Sequence, residues 1–134
     1  HRKALAGGFA RPGARSTAGD FECPASLPII VNDDIEAAAD LVRPTLALYI
    51  GGMGARGANF HFEVFARMGY EETCIRIQDL YLAGKKREAM AAIPLSLVED
   101  TALIGPLAKI RDDLAKWKDT LLTTLLVGAP PQFR

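Results

Sequence analysis

The sequence predicts an α/β fold with parallel strands, and three observations predict it. Three short apolar runs, residues 27–31, 101–104 and 123–127, are continuous rather than alternating, as in strands buried on both faces. Segments with apolar residues at helical spacing separate them. No hairpin signal joins any two runs, so helical crossovers and parallel pairing are expected.

Composition bounds the function. At 134 residues, 49% hydrophobic and 24% charged, the chain fits one globular domain. Sixteen Lys+Arg balance sixteen Asp+Glu, which leaves no basic field for nucleic acid or an anionic membrane. Cys23 and Cys74 have no Cys-x-x-Cys spacing, so free thiols and a cytoplasmic setting are expected rather than a disulfide framework or zinc site. No run approaches the ~20 apolar residues of a membrane span. The chain opens on His1 rather than Met, and residues 128–134 are expected to form an unstructured tail; together these predict a piece of something longer.

Each element has a local reason. His1 to Phe9 read as the end of a helix, with Gly7 and Gly8 as its breaker, and residues 11–20 as a polar loop. Pro28 is expected near the start of the first strand. Asp33 is expected to cap the next helix, with Glu36 closing a capping box. Ile35, Ala38, Ala39, Val42, Leu46, Tyr49 and Ile50 give that helix its stripe, and Pro44 should kink it. Four glycines within residues 51–57 predict a loop, expected on the side of the C-terminal strand ends. Asn59 is expected to cap a helix that Gly69 ends; a second helix runs over 71–83 to Gly84, and a third over 86–93 to Pro94. Gly105-Pro106 turns the second strand into a helix with Pro at its first position, striped by Leu107, Ile110, Leu114 and Trp117.

The segment Leu46 to Gly57 (LALYIGGMGARG), with Asn59-Phe60-His61, Arg67-Met68-Gly69-Tyr70-Glu71, Ile77-Gln78-Asp79-Leu80-Tyr81, Leu103-Ile104-Gly105-Pro106 and Thr123-Thr124-Leu125-Leu126-Val127, resembles the luciferase-like flavin oxidoreductases, and most closely their coenzyme F420 branch. The resemblance implies the C-terminal portion of a (β/α)8 TIM barrel, a fold of about 250 residues, with residues 1–134 a single partial domain of about three parallel strands and a helical insertion. It implies hydride transfer between a deazaflavin and a small organic substrate. It also implies a missing N-terminal half that carries the ring site, with homo-oligomerisation open. FMN is the alternative cofactor, and a non-catalytic fragment or interaction domain the alternative role. One departure is Leu121, where the family usually has Gly, so the last helix is expected to end strained or frayed.

Five residues are candidates for holding the cofactor. Gly54, Arg56 and Gly57 could cradle a phosphate or the coenzyme's glutamate tail; the plainer alternative is a flexible connection whose Arg56 pairs with a neighbouring carboxylate. Gly105 and Pro106 offer a helix N-terminus to an anion, or serve only turn geometry. His61 is a weak catalytic candidate, more often a partly buried helix residue. No metal site is expected, since His61 has no ligand-spaced partner. Phe60, Phe62, Phe65 and Tyr70 are expected to pack on the core.

Overall fold

The computed structural model describes residues 2–128. The elements are α1 (Arg2–Phe9), β1 (Pro24–Val31), α2 (Ile35–Gly52), α3 (Phe60–Phe65), α4 (Glu71–Leu82), α5 (Lys86–Ala91), α6 (Leu95–Glu99), β2 (Leu103–Gly105), α7 (Leu107–Trp117) and β3 (Thr124–Gly128). A π-helical turn, Ala66–Tyr70, links α3 to α4 and bends at Gly69, whose φ is 101°. β3 takes in Gly128, the first residue of the expected tail; residues 129–134 lie outside the described residues.

Both strand pairings are parallel, and the order across the sheet is β2-β1-β3. β1 divides itself between its partners: residues 24–28 lie beside β3 and residues 29–31 beside β2. Pro28 is therefore mid-strand rather than at the start, and it is tolerated because it falls at the changeover, where neither ladder continues past it.

Helices cover both faces of this open sheet. Ile30 and Ile104 face the core built on α2, while Leu27, Ile29 and Leu103 face Ile110 and Trp117 of α7. Alternation along a strand makes these opposite faces. In a barrel of consecutive units each strand lies beside the next and the helices form one outer ring; here β3 returns past β2 to the far edge of β1. A right-handed crossover that reverses its direction along a sheet must cross the other face, which accounts for order and layering together. The return satisfies an edge of β1 that would otherwise be open.

The large core joins Ala38, Val42 and Ile50 of α2 to Cys74 and Ile77 of α4, Ala89 of α5 and Leu97 of α6. Asp34, rather than Asp33, caps α2: its Oδ1 accepts from the Ala37 N–H at 3.0 Å. Ile35 packs against the core from the first helical position, so the cap falls on the residue before it. Glu36 closes no capping box and pairs instead with Arg43 at 2.8 Å. Gly51 and Gly52 are helical rather than loop, because Tyr81 of α4 lies against them and a Cβ at either would overlap its side chain. Gly84, φ 78°, closes α4 as expected, with Lys85 N–H donating to Leu80 O at 2.9 Å.

Leu121 needs no left-handed backbone. The Thr120 hydroxyl donates to Trp117 O at 2.7 Å and accepts from Leu122 N–H at 3.2 Å, which closes α7 without glycine. Among the described residues no non-glycine has positive φ. No helix in them is long and apolar enough to cross a membrane.

Candidate functional site

Two groups of predicted site residues stand at opposite ends of α2. The first is at the C-terminal ends of β1 and β2, where Asn32 N–H donates to Gly105 O at 3.0 Å. Gly105 has φ 118°, and a Cβ there would stand 3.0 Å from Lys109 Cδ and 3.4 Å from Ile35 Cγ1. Pro106 is the N-cap of α7 rather than its first helical residue as predicted, the helix starting one residue later at Leu107, and no side chain caps it there. β1 and β2 are neighbours whose following helices lie on opposite faces, an arrangement that opens a crevice between strand ends in α/β sheets. Lys109 borders this region, but its Nζ lies 2.7 Å from Glu99 and also pairs with Asp113. Burial alone would lower its pKa, and those hydrogen bonds raise it.

The second group is the glycine loop. α2 runs back along β1, so that Leu41, Thr45 and Tyr49 line one groove with Ile30, Pro28 and Ser26. Eighteen residues at 1.5 Å each carry it about 27 Å. Residues 53–58 therefore lie beyond the N-terminal end of the sheet. The expectation that they stand at the C-terminal strand ends fails because a crossover helix runs antiparallel to its strand. A Cβ at Gly54 (φ 151°) would stand 2.9 Å from Ala58 O, so that glycine serves the loop's own closure. Gly57 (φ 75°) faces open space. Arg56 reaches across to α4 and pairs with Asp79 at 2.6 Å, the plainer of its two predicted roles; both side chains are more than half exposed.

Asn59 was legible only as a cap, and it does more. Its Oδ1 accepts from Phe62 N–H at 3.1 Å, while its Nδ2 donates to Tyr49 O and Ile50 O, both at 2.9 Å. It is 2% exposed and satisfies the end of α2 and the start of α3 at once. His61 stacks on Tyr49 with ring centroids 4.5 Å apart and planes at 11°. It is the half-buried helix residue of the plainer reading. Phe62, Phe65 and Tyr70 pack on the core as expected, whereas Phe60 is 71% exposed. Cys74 is fully buried, and burial pushes its thiol up to about 11, which rules it out as a nucleophile at neutral pH.

A family profile described as luciferase-like monooxygenase matches residues 2–124. The chain belongs to this family. A Mycobacterium tuberculosis relative named "Putative coenzyme F420-dependent oxidoreductase" is 42% identical over 122 residues, covering 91% of this chain and 35% of the relative. The chain thus spans about a third of that protein's length. No solved structure matches.

The described residues of this luciferase-like chain do not by themselves fit a fused flavin or deazaflavin ring. One groove, about 430 Å³, lies against β1 on the α2 side, away from the strand ends. Another, about 400 Å³, is walled by Glu99, Lys109, Asp113 and Lys116, whose charges are already paired with one another. Among the described residues no three His, Cys, Asp or Glu side chains gather to hold a metal ion.

Proposed function

We propose that this chain is the C-terminal part of a coenzyme F420-dependent oxidoreductase that moves hydride between the deazaflavin and a small organic substrate in the cytoplasm. In the whole protein it supplies the last three strand–helix units of a (β/α)8 barrel. The observation that carries this reading is the 42% identity, across 91% of the chain, to a relative named for that coenzyme. The cofactor brings the redox chemistry, and the chain's residues contribute binding and shape. Gly105 and Pro106 are the better placed of the five, because phosphate sites in such barrels form at the loops after the last two strands. Gly54, Arg56 and Gly57 stand at the other end of α2, where Arg56 would have to give up Asp79 to hold a phosphate or the coenzyme's glutamate tail. On this reading the isolated chain is inactive and binds neither cofactor tightly.

A second reading, an FMN-dependent monooxygenase, is favoured by the family's description. Fluorescence titration of the whole protein with each cofactor separates the two. Saturable binding of coenzyme F420 with none of FMN is expected, and the reverse preference would overturn the first reading. Sub-micromolar binding of coenzyme F420 to residues 1–134 alone would show that the ring site is in this part.

A further inference from the structure

We propose that one end of the helical block α2–α6, where the end of α2 meets the end of α4 and the start of α5, is a docking surface for anionic lipid headgroups. The balanced total charge conceals a local excess there. Arg56, Lys85, Lys86 and Arg87 are all exposed. Two carboxylates answer them: Asp79 pairs with Arg56 at 2.6 Å and Glu88 with Lys85 at 3.7 Å. Among the described residues Lys86 and Arg87 have no ion-pair partner.

Apolar side chains project among these cations. Leu48, Met53 and Leu82 are 41%, 47% and 51% exposed. α4 packing on the last turn of α2 brings them together: a Cβ on Gly52 would stand 2.6 Å from Tyr81 Cε1 and 3.1 Å from Leu48 Cδ1. Leu48 and Tyr81 therefore meet over Gly52, with Met53 and Leu82 adjoining them in sequence. Lys86 Nζ lies 5.4 Å from the centre of the same Tyr81 ring, which sets the cationic run beside the apolar tips. All of these residues belong to the block between β1 and β2, whose core is formed largely from its own helices. Four grooves of the fold are lined by other residues, apart from Leu41, Thr45 and Tyr49 of the same helix, and here the apolar tips stand between cations instead of lining a cleft. A second copy is a poor occupant, because a two-fold contact would set this cationic patch against itself. An anionic lipid layer meets both chemistries at once: its phosphates face the cations, and the apolar tips enter the boundary between headgroups and acyl chains.

Sedimentation with vesicles tests this on the 134-residue chain. The chain should bind vesicles of phosphatidylcholine and phosphatidylglycerol in equal parts and leave phosphatidylcholine vesicles alone. Lys86→Gln with Arg87→Gln should weaken that binding at least about tenfold, because each cation near an anionic membrane contributes roughly a factor of five. Met53→Ser with Leu82→Ser should weaken it too, a loss that charge attraction alone would not give. Lys3→Gln with Lys118→Gln removes as much charge from α1 and from the end of α7, and should leave binding unchanged. Equal losses in the two charge variants would mean that binding follows total charge, and the proposal falls. It also falls if the chain ignores anionic vesicles, or if the Met53 and Leu82 variant binds like the unmodified chain, in which case the cations serve an acidic protein. On the unmodified chain, salt at about 1 M cuts the Debye length to about 3 Å and should release it from the vesicles; persistence would overturn the proposal without any variant. Binding by the chain but not by the whole protein would show that other polypeptide covers this end, and would overturn it equally.

Discussion

The helical block between β1 and β2 is held differently from the β3 side of the sheet. In the block, Ile50, Ile77 and Leu97 are completely buried, and Asn59 satisfies two helix ends from a position 2% exposed. On the β3 side, two of five strand residues are exposed apolar side chains, and the cluster beneath has three buried members. The block closes on itself through contacts near in sequence. The sheet ends at β3 on exposed apolar side chains, Leu126 and Val127.

The widest contrast is between a core and an edge truncation. Ile77→Ala should cost about 2–5 kcal/mol through lost burial and a cavity, whereas Leu126→Ala should change stability by less than about 0.5 kcal/mol. Urea unfolding of the chain compares them, and equal costs would erase the distinction. Asn59→Ala comes next, at about 1–3 kcal/mol, because it orphans buried carbonyls of α2 and uncaps α3. Asn59→Asp keeps the cap acceptor but loses both N–H donors, so it should recover only the cap's share. Gly51→Ala tests the packing of α2 on α4. In an exposed helix the change would stabilise by about 1 kcal/mol, but overlap with Tyr81 should turn it into a loss of about 1–3 kcal/mol. A gain in the melting temperature of Gly51→Ala would show that Tyr81 moves aside freely.

The same contrast describes what could be read beforehand. Local patterns in the block were legible: the stripe of α2, the Asn59 cap and the Gly84 stop each depend on residues within a turn or two. Two of the differences there have a tertiary origin. Asp34 replaced Asp33 because Ile35 packs from the first helical position, and Gly51 and Gly52 stayed helical because Tyr81, thirty residues on, needs the space. α6 was missed because five residues behind Pro94 carry too short a stripe to register. On the sheet, parallel pairing was legible from the lack of hairpin signals, but strand order was not, since either edge accepts an apolar run. The site was least legible of all: glycines and an arginine announce an anion cradle or a tight loop alike, and only the course of α2 separates Arg56 from Gly105.

Arg56 gives the smallest effect on stability and the sharpest test of its end of the molecule. Its pair with Asp79 is exposed on both sides, and such pairs contribute about 0–1 kcal/mol, so Arg56→Ala should barely move the melting temperature. Affinity in the whole protein is a separate readout. If the guanidinium also holds a phosphate or carboxylate of the ligand, losing charged hydrogen bonds worth about 1.5–3 kcal/mol weakens binding roughly ten- to a hundredfold. Lys should recover only part of that, because an ammonium keeps the charge without the planar fork. Asp79→Asn sharpens the comparison further: it frees the guanidinium from its partner, so a ligand that competes with Asp79 should bind more tightly to this variant. Unchanged affinity in both variants, with a slightly lower melting temperature, would leave Arg56 as a tie between loop and α4.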